Sequence, residues 1–249
     1  MLRAVARWTA AVAVFAVLGA GTAYGITRME RTDVPGLGTA SDGRWAYPEI
    51  VRPPLPEGSP APFDKVNLTG THHADLRKLV LPAPEGATAD GKLRGADGWL
   101  RQDTFLAEFE AADREELAVA LTDQGLRHIA ATGWSMPDGT RTRIYLLRFD
   151  TATAAEDIYT GELTRFGSPG PAVRGAGTTG YDEDFPVKAH VEGMERSTYV
   201  ESKPYGAEQV RQGWVSAGDV VAVILQSREG GAAAVPFQQT VILQSQLLG

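Results

Sequence analysis

The sequence predicts an α+β domain, a mostly antiparallel sheet with packed helices forming an α/β/α sandwich, behind an N-terminal transmembrane helix and a proline-rich stalk. Three observations predict it. Strand-like runs recur in pairs around glycine-containing turns, as antiparallel hairpins require. Helical patterns follow the first pair and close the chain, so helices have a sheet to pack on. An uncharged stretch of 19 residues, Trp8 to Ile26, opens the chain. The expected boundaries are 1–28 for the anchor or signal segment, 29–70 for the stalk and 71–249 for the extracytoplasmic α+β domain.

Nineteen uncharged, mostly apolar residues span a bilayer core as a helix. Arg3 and Arg7 precede them, which keeps the N-terminus in the cytoplasm and places the rest of the chain outside. The alternative is a cleaved signal peptide, because "GTA" (21–23) and "AYG" (23–25) both offer small residues at the positions a signal peptidase reads. Either way the domain lies outside the cytoplasm. Gly21 and Gly25 also form a G-x-x-x-G pair, a close-approach face for a second helix. Beyond the segment, "YPEIVRPPLPEGSPAPF" carries six prolines, and each fixes φ and removes a donor, so an extended stiff stalk is expected. Asn67 begins an N-x-T glycosylation sequon.

From about Thr71 the pattern changes to alternating strands and helices. "LRKLVLPAP" reads as a short strand or helix ended by Pro82 and Pro84. "DREELAVALTDQG" predicts a helix capped by Asp113, with Glu116 at the capping-box position and Gly125 as the stop. "RHIAATGWSMPDGTRTRIYLLRF" predicts a hairpin turning at Asp138-Gly139. In its second strand Arg143, Tyr145, Leu147 and Phe149 point one way, and Thr142, Ile144 and Leu146 the other. Both sides become apolar, which predicts a central strand covered on both faces.

A helix follows, capped by Asp150 or Thr151, with Ala155, Ile158, Tyr159, Leu163 and Phe166 on its apolar side. Residues 167–181 read as a long Gly/Pro loop. "VKAHVEGMERSTYVESK" reads as strands turning at Glu192-Gly193, and "QVRQGWVSAGDVVAVILQS" as a hairpin turning at Ala217-Gly218-Asp219. The last segment predicts a helix with Pro236 in its first turn and Phe237, Val241 and Leu248 facing inward.

Charge and composition exclude several functions. The net charge is −7, and the first 28 residues carry three arginines and no acid, so the remainder carries −10. An acidic domain without a basic stripe repels phosphate backbones, so no nucleic-acid partner is expected. The absence of cysteine excludes disulfides, thiolate metal sites and cysteine nucleophiles. Core packing alone must hold the fold, and roughly 180 residues suffice to bury about 70% of their surface without staples.

The candidate motifs fail on geometry. His72 and His73 are adjacent, so their side chains diverge and do not share one ion. No metal is therefore expected. "GAGTTG" (175–180) matches G-x-G-x-x-G, but prolines precede it and "YDEDFP" follows, where a nucleotide fold needs a strand and then a helix. No cofactor is expected. "YDEDF" reads as a solvated acidic turn without the spaced loop of a calcium site. Ser135 and Ser216 lack the nucleophile elbow. Trp99, Trp134 and Trp214 each follow a glycine, a placement that either closes a core or lines a pocket.

The hairpin "GWSMPDGTRTRIYLLRF", the helix "DTATAAEDIYTGEL", the strand pair "RQGWVSAGDVVAVIL" and the terminal helix together resemble the extracytoplasmic sensor-like domains of actinobacteria. Those include small secreted lipoproteins and the external domains of receptor serine/threonine kinases, with a fold similar to the PsbP-like α/β/α sandwich. The resemblance covers residues 71–249. This chain departs from it in having neither a lipobox cysteine nor a disulfide pair, and in carrying no kinase domain. The resemblance implies a binding or sensing role at the envelope and marks no catalytic residue.

The expectation is therefore a single-pass membrane protein whose external domain binds an envelope ligand or protein and catalyses nothing. The alternatives are an envelope hydrolase using paired carboxylates, and a scaffold that assembles through Gly21, Gly25 and a sheet edge. The expected ligand-binding rim combines Trp134, Trp214 and the 167–184 loop with Tyr181 and Asp182, because flexible loops beside aromatics bind ligands.

Overall fold

The structure is a computed structural model that describes residues 41–165 and 167–249, together with Trp8, Phe15, Gly19, Gly21, Thr22 and Tyr24. The chain divides into two units, residues 1–42 and 43–249. Apart from those six positions, the expected anchor or signal segment and the first part of the stalk lie outside the described residues. So does Phe166. Among the described residues no helix is long and apolar enough to cross a membrane.

The second unit is a mixed α+β domain. In chain order its elements are β1 (Thr88–Ala89), α1 (Gln102–Leu106), α2 (Arg114–Asp123), β2 (His128–Ser135) and β3 (Arg141–Arg148). Then come α3 (Ala152–Ile158), continued by a π-helical turn (Tyr159–Leu163), and the short strands β4 (Thr164–Arg165), β5 (Ser168–Pro169) and β6 (Thr179–Tyr181). The chain closes with β7 (Met194–Glu201), β8 (Glu208–Ala217), β9 (Val220–Glu229) and α4 (Ala234–Leu248). Seven strands form one sheet in the order β1-β2-β3-β9-β8-β7-β6, and every neighbouring pair is antiparallel. β4 and β5 form a separate ribbon.

The central strands are rich in β-branched residues, and they are apolar on both sides because both faces of the sheet are covered. In β9, Val221, Val223 and Leu225 join one core, while Val220, Ala222 and Ile224 join the other. In β3, Tyr145 and Leu147 face the first core and Ile144 and Leu146 the second. The first core is roofed by Phe105 of α1, Leu117 and Leu121 of α2, and Ala155 and Ile158 of α3. The second is closed by Phe237, Val241, Leu247 and Leu248 of α4.

Local chemistry sets most boundaries. Gly139, at φ 84°, turns the β2–β3 hairpin, and the Asp138 carboxylate accepts the Thr140 N–H at 2.9 Å. Gly218 and Asp219 form the two-residue turn between β8 and β9. Thr151 caps α3 by accepting the Ala154 N–H at 3.2 Å. Asp113 does not cap α2 as expected. Its own backbone is already helical, at φ −93° and ψ −13°, and an N-cap side chain reaches its targets from an extended backbone. Its carboxylate instead accepts the Ala172 N–H at 2.7 Å.

Two segments differ from expectation. Residues 187–191 form no strand, and no hairpin turns at Glu192-Gly193. The free edge of β7 is taken by Thr179–Tyr181, inside the expected Gly/Pro loop, which leaves 187–191 without a partner. The stalk also packs. From Gly43 the chain runs without regular secondary structure across α4: Gln239 accepts the Trp45 N–H at 2.8 Å and returns a bond to the Trp45 carbonyl at 2.9 Å. The Tyr47 hydroxyl lies 3.0 Å from Thr240 Oγ1, and Trp45, Tyr47 and Ile50 sit against the second core. Proline keeps this segment out of strands, yet its aromatics still gain from burial.

The histidine pair closes this packed segment. His72 is buried; its Nδ1 lies 2.7 Å from Asp219 Oδ1, and its Nε2 donates to the Leu248 carbonyl at 2.9 Å. Asp219 Oδ1 also accepts the His72 backbone N–H at 2.9 Å, and Arg148 Nε reaches Oδ2 at 3.2 Å. One ring thereby ties the incoming chain to the β8–β9 turn and to the end of α4. His73 is exposed.

Candidate functional site

The structure does not bring the expected rim together. Trp134 of β2 and Trp214 of β8 are 1% and 0% exposed, and they belong to opposite faces of the sheet. Trp134 stands opposite Thr142, which pairs with Gln226, whereas Trp214 stands opposite Val223, which pairs with Tyr145. Tyr181 is exposed at the edge of β6, its ring edge-on to Tyr199 at 6.1 Å. Asp182 is buried and pairs with Arg211 at 3.0 Å, so the expected solvated turn is solvated only at Glu183 and Asp184. Trp99 is the half-buried member of the glycine–tryptophan set, stacked on His128 at 4.5 Å with Arg77 over its ring. The GAGTTG stretch leads into β6, a strand, where a nucleotide-binding fold has a helix.

A different constellation lies on the α1–α3 face. Arg143 of β3 and Gln212 of β8 both stand opposite Leu225 of β9, one on each side. Trp214 lies two residues beyond Gln212 and so points to the same face. Arg143 Nη1 pairs with Glu108 Oε2 at 2.6 Å, and the Tyr145 hydroxyl donates to Glu108 Oε1 at 2.6 Å. Burial, followed by the neighbouring Glu108 charge, pushes the Tyr145 hydroxyl well above its ordinary value, so it stays a donor. Arg143 Nε, both polar atoms of the Gln212 amide and Trp214 Nε1 are buried without a partner among the described residues. A buried donor or acceptor left without a partner costs about 1–3 kcal/mol.

A glycine-bearing strap, residues 172–177, crosses this floor. At one end Val173 is buried against the Phe109–Trp214 pair, whose rings are 6.1 Å apart. At the other, Gly177 N–H reaches Glu201 Oε1, while Glu201 Oε2 accepts the Val210 N–H at 2.6 Å. Gln212 sits between Val210 and Trp214 on the same face of β8. Carboxylates hold the strap at three points: Asp113 on Ala172, Glu110 on Gly175 and Glu201 on Gly177. The α1 end adds two backbone bonds, Glu110 N–H to the Ala172 carbonyl and Arg174 N–H to the Glu108 carbonyl.

Two open grooves lie outside. One, of about 610 Å³, runs between α2 and the α3–π segment and is lined by Glu115, Glu116, Asp123, Asp157 and Glu162. The other, of about 450 Å³, is bordered by Phe63, Leu68, Glu156 and Glu195, and Ser216 donates to Glu156 within it at 2.9 Å. Both present carboxylates and so repel anionic ligands. Among the described residues no three histidine, aspartate or glutamate side chains converge as metal ligands.

The strap and its floor were missed in the sequence, although their signal is there. Val210, Gln212 and Trp214 alternate on one face of a strand, and an amide at a core-facing position of such a run is out of place. Arg143 stands in the same relation to Tyr145 and Leu147.

No family model matches this chain, and no curated protein matches it. Among solved structures it is similar to the extracellular domain of PknH from Mycobacterium tuberculosis, at 10% identity and a TM-score of 0.31, over 65% of this chain and 77% of that one. That neighbour is an extracellular domain, the class the sequence pattern resembles. A likeness at this TM-score carries no argument for fold or role.

Proposed function

We propose that this chain is a membrane-anchored extracytoplasmic protein whose domain binds a ligand at the envelope and performs no chemistry on it. The uncharged Trp8–Ile26 segment behind Arg3 and Arg7 supports the anchoring and the orientation. The single observation that supports binding is the Gln212 amide, held in an aromatic core with neither its N–H groups nor its oxygen partnered. Leucine at that position removes the cost, so the amide is explained by something it contacts outside the fold's own hydrogen bonds.

Native mass spectrometry of the full chain, extracted in detergent from its host's membranes, tests this role. The expected result is recovery from the membrane fraction with an additional retained mass. A bare chain, or recovery in the soluble fraction without detergent, tells against it.

A further inference from the structure

We infer that the floor beneath the 172–177 strap is a binding site for a neutral ligand bearing an amide, an acylamino group or a cyclic amide, with Gln212 as its main polar contact. The inference rests on the binding role proposed for the domain and specifies its ligand class. Three properties of the floor select that class.

The first is the hydrogen-bonding inventory. The Gln212 amide offers two N–H donors, and Trp214 Nε1 and Arg143 Nε offer one each, all without partners among the described residues. The acceptor left over is Gln212 Oε1. A ligand amide matches this set: its carbonyl takes donors, and its N–H fills the glutamine oxygen in a reciprocal pair.

The second is charge. Arg143 is already balanced by Glu108 at 2.6 Å, and Glu201 adds a buried carboxylate at the far end of the span. A ligand anion meets the Glu108 and Glu201 carboxylates, and a cation meets a row of donors. A neutral group meets neither penalty. The third is shape. Tyr199 stands directly cross-strand from Gln212, and Trp214, packed on Phe109, lies two residues along the same face, which suits a planar group or the apolar face of a ring.

Access comes through the strap. It contributes Val173 and part of Ala176 to the core and is otherwise tied by backbone bonds, three of them to carboxylates. It belongs to no strand of the seven-stranded sheet until Thr179, so lifting it leaves the sheet ladder whole.

The test is the thermal midpoint of the full chain in detergent, with N-acetylglucosamine as the amide probe and glucose as the amide-free control. For the wild-type protein, N-acetylglucosamine at about ten times its Kd raises the midpoint by about 3 °C, and glucose leaves it unchanged. Gln212→Leu keeps or raises the probe-free midpoint, because the unpaired amide is gone, and abolishes the response. Gln212→Met, closer to glutamine in shape, must behave alike and covers the case in which leucine packs badly.

The inference is overturned if the wild type does not respond, if both sugars act equally, or if both variants lower the midpoint while keeping the response. That last result means that buried water already satisfies the amide. A wild-type chain that carries a retained mass from its host membranes yet ignores N-acetylglucosamine refutes the amide class and leaves the binding role standing. A bare chain that also ignores the probe refutes both.

Discussion

At the scale of single residues, stability concentrates where polar groups are buried with partners. Asp219 accepts the His72 backbone N–H and a bond from Arg148, lies 2.7 Å from His72 Nδ1, and is 1% exposed. Asp219→Ala leaves those donors without an acceptor, which costs about 3 kcal/mol. In a domain of this size that lowers the thermal midpoint by about 6–12 °C, measurable by calorimetry. Tyr47 gives a pH prediction. Its burial, opposed by the bond to Thr240, pushes its hydroxyl from the ordinary 10.0 up to about 12. A raised pKa means that the folded state favours the neutral form. That contribution is whole below pH 10 and is lost as pH rises through about 12. Tyr145 and Tyr159 are pushed the same way by burial. Urea midpoints should therefore fall through this alkaline window, and Tyr47→Phe should make the fall shallower. An equally steep fall in the variant removes Tyr47 from the account.

At the scale of elements, the β8–β9 turn is a tight joint. Gly218 lies at φ 53°, and a Cβ placed there comes 2.3 Å from the Gly70 carbonyl oxygen. Gly218→Ala should cost about 2 kcal/mol or more, from the positive φ and from displacing the segment that carries His72. Urea unfolding is the check: the midpoint falls while the slope stays constant. Phe237 of α4 is fully buried and faces Phe185 edge-on at 6.5 Å. Phe237→Ala should cost about 3–5 kcal/mol, since among the described residues α4 is the one helix of more than one turn on its side of the sheet. These elements were legible in the sequence because each is encoded locally. Gly218 and Asp138-Gly139 announce turns, and the final helix shows its periodicity. The β6 strand was not legible, because three residues between glycines carry no period, and they pair only because β7 offers an open edge.

At the scale of the molecule, the domain begins earlier than the composition suggests. A chain cut to residues 43–249 keeps Trp45, Tyr47 and Ile50 on α4, and one cut to 71–249 loses them. The shorter chain should be less stable by about 3 kcal/mol or more, from lost apolar burial, and chemical denaturation of the two truncations compares them directly. Equal stability shows that the 43–70 segment rests on the domain without supporting it. The candidate site also belongs to this scale. Its parts come from β3, β8, the loop after α1 and the strap, and no two of those are neighbours in sequence. Arg143 and Gln212 are polar residues in otherwise apolar alternations, yet nothing in either strand says that they flank the same leucine.

The sequence by itself determined the long strands β2, β3, β8 and β9, the turns at Asp138-Gly139 and Gly218-Asp219, the closing helix, the net negative charge and the uncharged N-terminal segment. Each is a local property, set by alternation, by the backbone freedom of glycine or by a run of apolar residues. Tertiary structure alone decided that β9 lies between β3 and β8, that Trp134 and Trp214 stand on opposite faces, and that Arg143 and Gln212 flank the same leucine. A strand's period says which residues share a side, but only its register with a partner says which side that is. Register is fixed by which distant surfaces bury together, and that information is spread over the whole chain.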